Sequence, residues 1–175
     1  MTVRVATIDD AHRVAEVAAS TFPLACPPGT RPEDIDSFIS NVLSARHFEN
    51  YIADASRTVL VDETAGADVV GYAMLVSGTP ADPDIRAALS HDPTVEISKL
   101  YVRPTEHGSG AATRLMSSSL SRARDSGCGA AWLGVNQQNV RAQKFYAKHG
   151  FEIVGIKTFV VGVQTHDDYV MQVRL

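Results

Sequence analysis

The sequence predicts an α/β fold in which one mixed sheet is flanked by helices. Three observations predict it. Short β-branched or aromatic runs alternate with amphipathic helical patterns along the chain. Several helical patterns carry their own start or stop signals. A strand-forming run, Glu96 to Val102, passes through Pro104 into a glycine-rich helix start at Gly108 to Gly110. No repeat, low-complexity tract or linker divides the 175 residues, so residues 1–175 are read as a single domain.

Val3 to Ala6 is a short first strand. Thr7-x-x-Asp10 is a capping-box pattern opening a helix with Val14, Val17 and Ala18 on one face. Leu24 to Thr30 reads as a proline-bearing loop. Pro32 begins a second helix, with Glu33 and Asp34 in its first turn. Ile35, Phe38, Ile39, Val42 and Leu43 give that helix an i, i+3, i+4, i+7, i+8 apolar stripe. A further turn is expected at His47 to Ala53. Strands at Thr58 to Asp62 and Val69 to Val76 flank a glycine-bearing turn at Ala65 to Asp68. Ser77 to Asp92 is a proline-bearing loop with some helical potential. After the Glu96 strand come a helix around Thr113 to Ala123 and a strand at Ala131 to Val135. A helix from Val140 to Lys148 is capped by Asn139 and stopped by Gly150. Strands near Ile153 to Val161 and Tyr169 to Val173 complete the sheet.

Composition narrows the partners. The 16 basic and 20 acidic residues give a net charge of −4, without a basic run or interleaved aromatic patch, which argues against nucleic acid. A mildly negative chain slightly favours a cationic amine as substrate. Cys26 and Cys128 are far apart and in no metal-ligand spacing, so two reduced cytosolic thiols are expected. The N-terminal residues lack an apolar leader run and no segment is long enough to span a bilayer, so a cytoplasmic location is expected. The histidines have no ligand spacing, and no metal is implied.

The stretch Glu96 to Leu115 points to a phosphate-bearing ligand. Its glycines let the backbone approach closely, and the helix start presents free N–H groups and a positive dipole end. Two well-known phosphate loops do not match. A P-loop needs Lys after its last glycine, and the dinucleotide fingerprint needs a third glycine where Thr113 stands.

His107-Gly108-Ser109-Gly110-Ala111-Ala112 does resemble the Gln/Arg-x-x-Gly-x-Gly/Ala signature of the GNAT N-acetyltransferase family. A second block agrees: Leu133, Val135, Asn139, Ala142, Phe145, Tyr146, Gly150 and Phe151 match L-x-V-x-x-x-N-x-x-A-x-x-F-Y-x-x-x-G-F. The resemblance spans roughly the C-terminal half and implies a mixed, mostly antiparallel sheet flanked by helices. His107 departs from the family's Gln or Arg, which weakens one side-chain contact to a diphosphate and leaves the backbone amides untouched.

The resemblance implies acetyl-CoA as cosubstrate. Its pantetheine arm would lie between the strands of Ile97 to Val102 and Ala131 to Val135, against Leu100, Tyr101 and Val102. Its diphosphate would lie on His107, Gly108, Ser109, Gly110, Ala111, Ala112 and Thr113, with Asn139 and Tyr146 beside the arm. Tyr146 is the expected acid for the leaving thiolate, since a phenol with a pKa of about 10 is protonated at neutral pH. The resemblance makes Glu96 the candidate general base; the alternative is a solvent-facing strand-end carboxylate paired with Lys99. Simple alternation would set it on one face with Ser98, Leu100 and Val102, a relation that a bulge would change.

Neither cysteine falls in the matched blocks, so direct transfer to a primary amine is expected. The acceptor is read as a small amine (polyamine, amino acid or aminoglycoside) ahead of a protein N-terminus or lysine. A non-catalytic acyl-CoA-binding module is the alternative. Phe22, Pro27, Pro28, Phe48 and Tyr51 are candidate acceptor walls, whereas Asp167 and Asp168 read as a solvated turn. A homodimer is expected by resemblance.

Overall fold

The computed structural model describes residues 1–175. Its strands are β1 (Thr2–Val5), β2 (Arg57–Glu63), β3 (Val69–Ser77), β4 (Thr94–Val102), β5 (Ala130–Asn136), β6 (Glu152–Val161) and β7 (Gln164–Arg174). They form one sheet in the order β1-β2-β3-β4-β5-β7-β6, parallel only between β4 and β5. The helices are α1 (Ala11–Ala25), α2 (Pro32–Val42), α3 (Ala45–Ala53), α4 (Pro83–Ala88), α5 (Ala111–Asp125) and α6 (Val140–Lys148). The α/β architecture with a mostly antiparallel sheet is the one the sequence implied. No helix is long and apolar enough to cross a membrane.

Helices cover both faces of the sheet. Val14, Val17 and Phe22 of α1 and Phe48 of α3 pack on Val61, Tyr72 and Met74. On the opposite face, Met116, Leu120 and Ala123 of α5 bury Val95, Ile97 and Leu133, and the rings of α6 extend that layer. The capping box opens a short 3-10 turn at Ile8–Asp10 that leads into α1. Asp10 is buried there, accepting from Thr7 N at 2.8 Å and from the Arg4 guanidinium at 2.7 and 2.9 Å. Arg4 holds this carboxyl well below the usual carboxylate range. A depressed folded value contributes stability that is present above the unfolded value of 3.8 and drains as pH falls below it. Thermal melts from pH 5 to 2 should therefore show a shallower acid loss in Asp10→Asn, from a lower starting stability.

Four expectations are corrected. The loop expected from Leu24 begins later, because α1 continues through Pro23 to Ala25. The ring of Phe22 stacks on Phe38 at 4.4 Å and holds that last turn down. The turn at His47 is a complete helix, anchored by the buried Phe48. Within the expected loop, Asp82 accepts from Asp84 N and Ile85 N to cap α4, whose Ile85 packs on Trp132 and Val170. The last strand begins at Gln164 rather than Tyr169, which moves Asp167 and Asp168 from a turn into β7.

Two irregularities of β4 position the site. Met74 pairs with Lys99 but Leu75 with Ile97, so Ser98 is an extra residue in a bulge. The bulge replaces simple alternation: Val95, Ile97 and Leu100 face α5, while Tyr101 packs with the α1 layer. Glu96 thus shares its face with Lys99 and Tyr101. The second irregularity is a split. β4 and β5 pair only at Thr94–Ala130, Val95–Ala131 and Glu96–Trp132 and then diverge.

Candidate active site

The turn after β4 presents main-chain donors at a helix start. A 3-10 turn at Pro104–Glu106 leads to His107 and then to Gly108 and Gly110, at φ +91° and +82°. Such positive values suit glycine and expose main-chain N–H groups. Gly110 caps α5, a 15-residue helix whose first-turn amides have no intrahelical partner. Arg114 braces the loop. One of its nitrogens donates to Ser109 O at 2.9 Å, while Nε and Nη2 donate to Asp62 Oδ2 at 3.1 and 2.7 Å. Asp62 is fully buried, so its charge fixes the guanidinium and the guanidinium fixes the loop.

From this loop a cleft of about 420 Å³ runs through the β4–β5 split to the α1–α2 side. Leu100, Tyr101, Val102, His107, Ala112, Asn139, Tyr146 and Glu96 all line it. Gly108, Ser109, Gly110 and Thr113 are exposed beside it, and the Ala111 side chain is buried beneath the first turn. Beyond the split, Leu100 to Val102 have no β5 partner, which leaves their main-chain groups on that side free for a ligand. The residues present therefore fit a thioester arm ending in a diphosphate.

Tyr146 is half-buried, with Phe145 and Phe151 rings at 5.5 and 6.0 Å. Burial pushes its phenol up to about 12, so the group keeps its proton at neutral pH. Asn139 spends its side-chain oxygen on Ala142 N at 3.0 Å, as a helix cap, while also lining the cleft. Glu96 is half-buried and lies across from Trp132. Lys99, two-thirds of the way along β4, keeps partial exposure, but the atoms around it desolvate the ammonium and push it down to about 8. Arg57 and Lys157 add to that shift, and Glu96 opposes it.

Of the expected acceptor walls, Phe22 and Pro27 line the cleft; Phe48 is sealed in the core, and Pro28 and Tyr51 do not line it. The fold adds residues that sequence reasoning missed. Cys26 lines the wall, but burial raises its thiol to about 11 and its Sγ lies 3.3 Å from Phe22 O. It is a protonated thiol and a poor nucleophile. Lys157, Gly134, Asn136 and Asp168 form the floor. Asp168 is 6% exposed, in place of the expected solvated turn. Burial raises its carboxyl, and Lys157 and the Asn136 amide at 3.5 Å pull it back. The signal that could have found it is the alternation of Asp168, Val170 and Gln172 along one buried face of β7.

The comparisons agree with this architecture. The family model described as "Acetyltransferase (GNAT) family" matches residues 18–151. An uncharacterised N-acetyltransferase of Mycobacterium tuberculosis strain H37Rv is 48% identical over 162 residues, covering 93% of this chain and 96% of its own. Among solved structures, the PaiA N-acetyltransferase of Thermoplasma acidophilum in complex with coenzyme A aligns with a TM-score of 0.78 at 19% identity, over 100% of both chains. The yncA protein of Salmonella typhimurium with its cofactor acetyl-CoA aligns at 0.67 and 23% identity, over 100% of this chain and 94% of its own. At those identities the two structures speak for the fold, while the model match and the mycobacterial relative carry the family. The chain belongs to the GNAT acetyltransferase family.

Proposed function

We propose that residues 1–175 act as one acetyl-CoA-dependent N-acetyltransferase domain that acetylates the primary amine of a small molecule by direct transfer. One observation carries this reading: a single cleft joins the glycine loop, the β4–β5 split, Tyr146 and Glu96. Bound acetyl-CoA supplies an activated acyl group as a thioester. The amides after Gly110 hold the diphosphate, and main-chain groups of Leu100 to Val102 hold the arm. Glu96 takes the proton of the acceptor ammonium, directly or through water, freeing the nitrogen lone pair. As the C–N bond forms and the C–S bond breaks, a backbone N–H of β4 stabilises the developing oxyanion and Tyr146 protonates the departing sulfur. Direct transfer is supported by the protonated state of Cys26, the one cysteine in the cleft.

A thiol-release assay with acetyl-CoA against amines, polyamines, aminoglycosides and peptides tests the proposal. Release with a small amine is the expected result. Saturable coenzyme A binding without release on any acceptor would instead support a binding module. Because burial holds Tyr146 near 12, it should impose no basic decline on kcat between pH 7 and 10. A decline near pH 10 that vanishes in Tyr146→Phe would contradict that assignment.

The proposed location is cytoplasmic. The proposed homodimer would use the unpaired edge of β6, where Ile153, Ile156 and Val160 are exposed. Light scattering should give twice the 18.8 kDa chain mass, and Ile156→Lys should return the mass to that of one chain.

A further inference from the structure

Four charged side chains gather at the acceptor end of the cleft: Glu96, Lys99, Lys157 and Asp168. Lys157 and Asp168 face each other across the β6–β7 ladder. They converge on Gly134, where an added Cβ would sit 2.9 Å from Lys157 Nζ and 3.4 Å from Asp168 Oδ2. The glycine is what admits both groups above β5. Yet they do not close an ion pair; the Lys157 ammonium lies instead 5.7 Å from the centre of the Trp132 ring. Asp168 Oδ1 has one long hydrogen bond from Asn136 at 3.5 Å, and no protein donor reaches Oδ2. A carboxylate this deeply buried is costly unless a cation or donor completes it.

The composition of the quartet selects among amines. A polyamine would bring further positive charge against two ammonium groups, and a dianion would meet two carboxylates. A molecule carrying one ammonium and one carboxylate satisfies both signs. The adjoining wall is apolar: Phe22 stacked on Phe38, with the Phe159 ring edge-on at 5.8 Å, and Leu43 alongside.

Building on the acetyltransferase reading above, we infer that the acceptor is a free amino acid with an apolar side chain. Its ammonium would be held by Asp168 beside Glu96, and its carboxylate by Lys157 with Lys99. Asp168 and Lys157 are then specificity-determining residues. Burial raises the Asp168 carboxyl, so its charge costs folding stability at neutral pH, a cost relieved as pH falls. Asp168→Asn should therefore raise the melting temperature while weakening acceptor binding, a combination that a purely structural carboxylate would not produce.

The test compares leucine, valine, methionine, phenylalanine, leucinamide, isoamylamine and spermidine, each as acceptor in thiol release and as titrant in calorimetry on coenzyme A-loaded protein. The expected result is a kcat/KM for leucine at least ~10-fold above leucinamide and isoamylamine, the scale of one charged hydrogen bond. Lys157→Met should bring the leucine-to-isoamylamine ratio to about 1, with a melt confirming that the variant is folded. A ratio unchanged in Lys157→Met, or a preference for spermidine or isoamylamine, overturns the inference and leaves the acetyltransferase reading intact. Saturable leucine binding that needs Lys157, without thiol release, supports the site and overturns the enzyme reading. Absence of binding by leucine, valine, methionine and phenylalanine alike overturns the inference whatever the other amines do.

Discussion

Tyr146→Phe should lower kcat by about 100-fold or more, the usual contribution of a positioned general acid, with the dissociation constant for coenzyme A nearly unchanged. The physical case rests on how little else the substitution alters. The ring sits against Phe145 and Phe151, and phenylalanine keeps that packing. What disappears is one O–H lining the cleft, on a phenol that burial holds near 12 and thus protonated. A thiolate leaving into a partly dehydrated cleft needs that proton, and a randomly placed water is a poorer donor. Single-turnover kinetics would isolate the chemical step. A kcat equal to that of the parent would make Tyr146 a packing residue and assign the proton to solvent.

Arg114→Met should cost about 3 kcal/mol of stability, the lower range for stranding one partner of a buried pair, lowering the melting temperature by roughly 6–12 °C. Methionine keeps the apolar stem but removes both bonds to Asp62 and the bond to Ser109 O. Asp62 is fully buried, its Oδ1 has no partner, and Arg114 supplies both hydrogen bonds to its Oδ2. The same change frees the glycine loop. Coenzyme A affinity should fall about 10-fold, the equivalent of re-ordering roughly one residue on binding. A double variant, Asp62→Asn with Arg114→Met, separates the two effects: melts should recover part of the stability, while calorimetry should still show the weakened affinity. If affinity is untouched in both variants, the loop stands without its brace.

Much of this was legible in the chain itself because the signals are short-range. Asn139 and Gly150 mark the ends of α6, and the observed helix spans Val140–Lys148 as expected. Pro32 and the stripe from Ile35 to Leu43 do the same for α2. The glycine loop was also readable, since a positive φ at Gly108 and Gly110 and the start of α5 depend only on adjacent residues. The missed helix α4 had its signal too, in Asp82 before Pro83, but the neighbouring prolines outweighed it.

The floor of the cleft was not legible. Asp168 looked like a turn residue because Asp167 and Asp168 are polar neighbours, and only pairing with β5 and β6 buries one of them. Lys157 acquires meaning solely by lying across from it, and Gly134 by leaving room beside both. Cys26 lay outside both matched blocks and reaches the wall because α1 runs on past Pro23. The face of Glu96 turned on a bulge at Ser98, which is visible only as a change of register against β3.

By itself, then, the sequence determined the α/β class, the ends of α2 and α6, the glycine turn before α5 and the family blocks, because propensities, caps and glycine angles act over three or four residues. Tertiary structure alone decided which side chains share the cleft. Sheet register and strand divergence join residues up to 70 or more positions apart, as with Glu96 and Asp168, and no local pattern carries that information.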